Sequence, residues 1–162
     1  MKFVSIIMGS KSDYDIMQEA GKIFEKFGVQ YELLVSSAHR SPERTHQYVK
    51  QAEEKGAKVF ICAAGMAAHL AGVVSSLTTK PVVGVPMRGG AMDGMDALLS
   101  TVQMPSGMPV ATVAIGGAVN SAYLAMQILA IDDEELSAKL KEDKILKAKR
   151  VETDSMGIEV II

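Results

Sequence analysis

Three short stretches hold the residue types that can do chemistry. In Ser36-Ser37-Ala38-His39-Arg40-Ser41-Pro42 an imidazole stands beside a guanidinium. Histidine changes charge nearest to neutral pH, so one ring can give and take a proton within a single cycle. The guanidinium is a planar fork suited to phosphate or carboxylate. An acid or base next to an anion clamp points to a phosphorylated small molecule as substrate. In Gly9-Ser10-Lys11-Ser12-Asp13 the glycine permits a tight turn. The hydroxyls of Ser10 and Ser12, with free N–H groups at a helix start, can hold an anion there. Asp13 would repel a phosphate and suits a sugar hydroxyl better. Lys11 follows Ser10 rather than glycine, and no G-x-G-x-x-G is present, which argues against nucleoside triphosphates and dinucleotides. The third stretch, Ala63 to Gly72, is a run of small residues that lets backbone approach a ligand closely and contains Gly65 and His69.

Each stretch also has a purely structural reading. Ser12 and Asp15 match a capping box, and Ser41 with Pro42 suffices as helix cap and first helical residue. Small residues also serve tight helix–sheet packing. His46 sits among Thr45, Gln47 and Lys50 as a solvated helical residue, while His69 either lines a pocket or packs. The wide spacing of the three histidines fits no metal motif, and no metal is expected. The Arg88 to Gly94 segment, rich in glycine, reads as a shaped loop with no assigned role.

These stretches need a frame, and apolar runs alternating with segments of helical period supply one, the pattern of βα units on a parallel sheet. Strands are expected at 2–8, 30–36, 57–64, 82–86 and 110–115. Helices are expected after each: one with Met17, Ala20, Phe24 and Phe27 on its inner face and Gly28 as its stop, then one from Pro42 to Gly56. Further helices follow at 67–77, 95–102 and 119–130, and a sixth from Asp132 to about Arg150 begins acidic and ends basic. In such a sheet, ligands bind beyond the strands' carboxyl ends, where all three stretches fall.

The chain has 162 residues, no internal repeat and no linker composition, so one domain spanning 1–162 is expected. A formal charge of −2 gives no footprint for nucleic acid or an anionic membrane. No apolar stretch reaches membrane-spanning length, and the start is too short for a signal peptide. The single cysteine, Cys62, lies in an apolar run and reads as a buried, inert thiol, in keeping with a reducing cytoplasm.

Several motifs come in the order and close to the spacing of class I N5-carboxyaminoimidazole ribonucleotide mutases of purine biosynthesis. They are Gly9-Ser10-Lys11-Ser12-Asp13, Ser37-Ala38-His39-Arg40, Ala67-Ala68-His69-Leu70, Gly84-Val85-Pro86, Val102-Gln103-Met104-Pro105 and Gln127-Ile128-Leu129-Ala130. The chain resembles that family over about 3–135. The resemblance implies a flavodoxin-like three-layer α/β/α sandwich with about five parallel strands and a C-terminal helix. It also implies a cytoplasmic homo-octamer with pockets shared between subunits, in which 132–162 packs on neighbours. The implied reaction moves a carboxylate from the exocyclic nitrogen of the aminoimidazole ribotide to ring carbon C4, without ATP, metal or cofactor. His39 would be the proton shuttle, Ser10, Ser12, Ser37 and Arg40 would hold the phosphate, and Asp13 the ribose hydroxyls. Ala38 joins these as a binding residue, and Gly65 and His69 would surround the base and its carboxylate.

The family pattern carries glycine where this chain has Ala63 and Met66, and proline where it has Ala71. The tail from Met156 to Ile162 has no counterpart, and its β-branched residues either pair with another subunit or fray. Two other readings stand beside the mutase. A class II carboxylase of the same fold takes free CO2 and typically has lysine after the histidine, where this chain has Arg40. A non-catalytic mononucleotide-binding module would have no need of His39.

Overall fold

Successive side chains of β1 (Phe3–Met8) point to opposite faces of the sheet, and all six are buried. A strand buried on both faces must be central. β1 indeed lies between β2 (Tyr31–Val35) and β3 (Ala57–Gly65), with β4 (Val82–Met87) and β5 (Ala111–Thr112) beyond β3. All pairings are parallel, and the order is β2-β1-β3-β4-β5. The computed structural model describes residues 2–158. The fold is the flavodoxin-like α/β sandwich with the expected strand count.

Helix α1 (Tyr14–Phe27) buries Met17, Ala20, Phe24 and Phe27 and stops at Gly28, whose left-handed φ of 73° few residues adopt without strain. Phe27 meets Tyr123 of α5 (Ala118–Leu129) edge-on, 5.8 Å between ring centres, so α1 and α5 share one face of the sheet. The other face carries α2 (Pro42–Lys55), α3 (Leu70–Leu77) and α4 (Met95–Val102). There Phe3, Ile7, Phe60, Cys62 and Val82 pack with Val49, Ala52, Leu70, Ala71 and Val74 in one apolar cluster. Gly84 of β4 brings this layer close: a Cβ there would stand 2.4 Å from Thr101 Cγ2 and 2.8 Å from Val110 Cγ1. Burial pushes the Cys62 thiol proton affinity up, in line with an inert thiol.

Several details differ from expectation by more than a residue or in kind. Strand β5 keeps only Ala111 and Thr112, the two residues paired with β4, before the chain turns at Gly116, φ 70°. Helix α3 begins at Leu70 rather than at 67: the chain leaves β3 through a left-handed Met66, φ 57°, and a turn closed by His69 N donating to Ala67 O at 2.9 Å precedes the helix. The hydroxyl of Ser41 does not cap α2; it bonds back to Ser37. The sixth helix, α6 (Glu134–Met156), passes Arg150, and its last turn has no basic residue.

The chain divides into two compact units, Met1–Met126 and Gln127–Ile162. The second is mostly α6, started by Asp133, whose carboxylate accepts from Leu136 N at 2.9 Å, and laced by the Glu135–Lys139 and Asp143–Lys147 pairs at 2.7 Å each. The expected pairing or fraying of the tail concerns chiefly 159–162, which lie outside the described residues. No helix among the described residues is long and apolar enough to cross a membrane.

Candidate active site

The chain leaves β1 toward β2 on one side and later returns to β3 on the other, so the sheet's switch point lies between β1 and β3. The turns following β1, β2, β3 and β4 surround a cavity of about 530 Å³ at that edge. Every residue singled out as a candidate, Ser10, Ser12, Asp13, Ser37, Ala38, His39, Arg40, Gly65 and His69, lines it. A larger hollow of about 810 Å³ lies where the chain enters β4 and β5, at the opposite edge, and the one carboxylate in its lining, Glu53, accepts from Thr78 Oγ1 at 2.6 Å. None of the candidate residues lies in its lining.

Hydroxyl groups shape the first two turns. After β1, Ser10 starts a 3-10 turn over Lys11–Asp13: its Oγ accepts from Ser12 N at 3.3 Å and Ser12 Oγ at 2.9 Å, and Asp13 Oδ2 accepts from Ser10 N at 3.2 Å. The capping box is therefore Ser10 with Asp13, not Ser12 with Asp15. Ser10 keeps its own hydroxyl proton to donate outward. Asp13 is only 7% exposed, and this burial raises its carboxyl above the usual range, partly offset by the Ser10 N–H. After β2, Ser36 Oγ and Thr45 Oγ1 share a buried hydrogen bond of 2.8 Å, tying the turn to α2. Ser37 N donates to Ser41 Oγ at 3.0 Å, Ser41 Oγ to Ser37 O at 3.1 Å, and Arg40 N to Ser37 Oγ at 3.1 Å.

That turn presents its two chemical side chains in different directions. Arg40 Nη2 donates to the Gly9 carbonyl at 3.2 Å, across toward the Ser10 and Ser12 hydroxyls. His39 reaches the turn after β3, where its Nε2 lies 2.7 Å from Nδ1 of His69 with the rings nearly perpendicular, 88°. One nitrogen donates and the other accepts, so a proton can pass between the rings. His69 occupies the cap position of α3 without capping it by its side chain. Small residues dominate the wall between, and Met66 stands among them with a left-handed φ of 57°.

Arg88, at the end of β4, also lines the cavity and pairs with Asp93 at 3.1 Å. Sequence reasoning left it unassigned; the available signal was its place immediately after a strand, on the edge where the other candidates sit. Among the described residues no group of three or more His, Cys, Asp or Glu is placed to hold a metal ion. The cavity thus combines two guanidinium groups, a buried carboxylate, hydroxyl donors and a hydrogen-bonded imidazole pair. It can hold a phosphosugar and move a proton at a group attached to it.

A family model described as AIR carboxylase matches residues 3–150. N5-carboxyaminoimidazole ribonucleotide mutase of Pyrococcus horikoshii is 52% identical over 156 residues, covering 96% of this chain and 88% of that protein. The protein of the same name from Pyrococcus abyssi is 56% identical over 142 residues, 88% of this chain and 82% of that one. The crystal structure of Treponema denticola PurE superposes with a TM-score of 0.89 at 26% identity, covering 99% of this chain and all of that one.

Proposed function

The chain is an enzyme belonging to the AIR carboxylase family, and we propose that its reaction is the mutase step of purine biosynthesis. N5-carboxyaminoimidazole ribonucleotide is converted to the isomer carboxylated at C4. The observation that carries this reading is the His39–His69 contact of 2.7 Å in the same cavity as Arg40 and the Ser10 and Ser12 hydroxyls. Identities above 50% to two proteins named as such mutases support the choice within the family.

The residues suit the steps. Ser10, Ser12, Ser37 and Arg40 bind the phosphate, and Asp13 accepts from the ribose hydroxyls. With Ala38 in the wall, they fix the ring relative to His39, where displacement on the order of 1 Å is costly. The bond between the exocyclic nitrogen and the carboxylate carbon breaks as His39 gives that nitrogen its proton, releasing CO2. C4 of the aminoimidazole then attacks the CO2 carbon, and His39, now neutral, removes the C4 proton. One imidazole ends the cycle as it began. Gly65 and the small residues near it leave room for the base and retain the CO2, with His69 steadying the His39 ring. No ATP, metal or organic cofactor enters this balance. The chain acts as one functional domain within a cytoplasmic homo-octamer, α6 lying against neighbouring subunits.

The test is a substrate comparison with purified enzyme. Conversion of N5-carboxyaminoimidazole ribonucleotide to the C4 isomer is expected without ATP or added metal. Turnover only with aminoimidazole ribonucleotide and CO2 would establish the carboxylase instead, and turnover of neither would leave a binding module.

A further inference from the structure

Resting on the mutase reading, we infer that Arg88 is a specificity-determining residue: it binds the carboxylate at the imidazole end of the substrate, at the far side of the cavity from the phosphate. The substrate bears two anionic groups, the ribonucleotide phosphate and the carboxylate carried on the aminoimidazole. The cavity offers two guanidinium groups, and the sheet holds them apart. Arg40 follows β2 and Arg88 follows β4, with β1 and β3 between. Three strand spacings of about 4.8 Å put the two turns roughly 14 Å apart at their roots.

Direction decides which anion each serves. Arg40 leans onto the Gly9 carbonyl beside the Ser10 and Ser12 hydroxyls, so the β1–β2 side is the phosphate end. His39 points the other way, to His69 in the turn after β3, which places the reacting atoms on the β3 side. Arg88 stands one strand beyond them. The alternative is that Arg88 merely staples its loop through Asp93. Both partners of that pair are more than two-thirds exposed, 68% and 74%, and such a pair contributes only about 0–1 kcal/mol. One bond to Asp93 also leaves most of the five guanidinium N–H donors for a ligand.

The test compares two ligands in Arg88→Gln and Arg88→Lys. The first is N5-carboxyaminoimidazole ribonucleotide, read as KM and kcat. The second is aminoimidazole ribonucleotide, which keeps the phosphate and lacks the carboxylate, read as a competitive inhibition constant. Arg88→Gln is expected to raise KM for the carboxylated ligand ~10- to 100-fold, the loss of a charge-assisted contact. The inhibition constant of the uncarboxylated one should stay within about twofold, which also reports an intact fold. Arg88→Lys should recover part of the loss. Equal weakening of both ligands, or no change in either, overturns the assignment while leaving the mutase reading intact. A wild-type enzyme that does not turn over the carboxylated ligand removes both.

Discussion

The proposed shuttle asks His39 to serve as acid and then as base, which needs its ring held still, and the 2.7 Å contact with His69 reaches it from outside its own turn. His39→Asn keeps a hydrogen-bonding side chain of similar outline and removes the proton. We expect kcat to fall ~10²- to 10⁴-fold, the usual worth of general acid–base catalysis, with substrate binding still measurable by calorimetry. Near-normal kcat would refute the shuttle. Asp13 shows a different cost. Its carboxyl is raised by burial, so the folded chain holds that proton more tightly than the unfolded chain, and stability falls as pH rises through the interval between the two affinities. Asp13→Asn should therefore raise Tm at pH 7, the gain vanishing in acid where Asp13 is already protonated. It should also raise KM by ~10-fold through loss of a charged acceptor. A lower Tm at pH 7 would contradict this account. His39, Arg40, Ser10 and Asp13 were legible in the sequence because each stood where a strand gives way to a helix. The bond between His39 and His69 was not, since only the sheet brings residues thirty apart in sequence together.

Among the elements, four of the five strands were read to within a residue at either end, edge strand β2 included, and β5 was not. Strands β1 and β3 are largely apolar runs, and the structure departs from them by a residue or so at the ends. Edge strand β5 reads as six residues of apolar sequence, but only Ala111 and Thr112 pair with β4 before the chain leaves the sheet toward the turn at Gly116. Periodicity likewise carried α3 back to 67, where the chain instead makes the turn closed by His69 N and Ala67 O. The Gly84 contact gives this scale its prediction. Gly84→Ala sets a methyl 2.4 Å from Thr101 Cγ2, so α4 must shift or β4 must bend. We expect a loss of ~1–3 kcal/mol in urea unfolding, as for other overpacked cores. An unchanged midpoint would mean that the α4 layer yields freely.

At the scale of the whole molecule, Met92, Met95, Leu99 and Val102 are all exposed. Their spacing of three, four and three puts them along one side of α4 and the turn before it, an apolar stripe of the kind that pairs with another helix. Light scattering is expected to give eight times the chain mass at micromolar concentration, and a stable monomer would defeat the octamer. The exposed stripe was not legible from composition, because apolar residues for a core and for an exposed face look alike until the fold separates them. The Arg40 bond to Gly9 carries a consequence for ligand capture. With it and the imidazole pair, the turns after β1, β2 and β3 are already cross-tied, so most of their conformational entropy is lost when the chain folds and little remains to be lost on binding. Affinity in this enzyme is then governed by how slowly the ribotide leaves, and loosening that one backbone contact should shorten its residence.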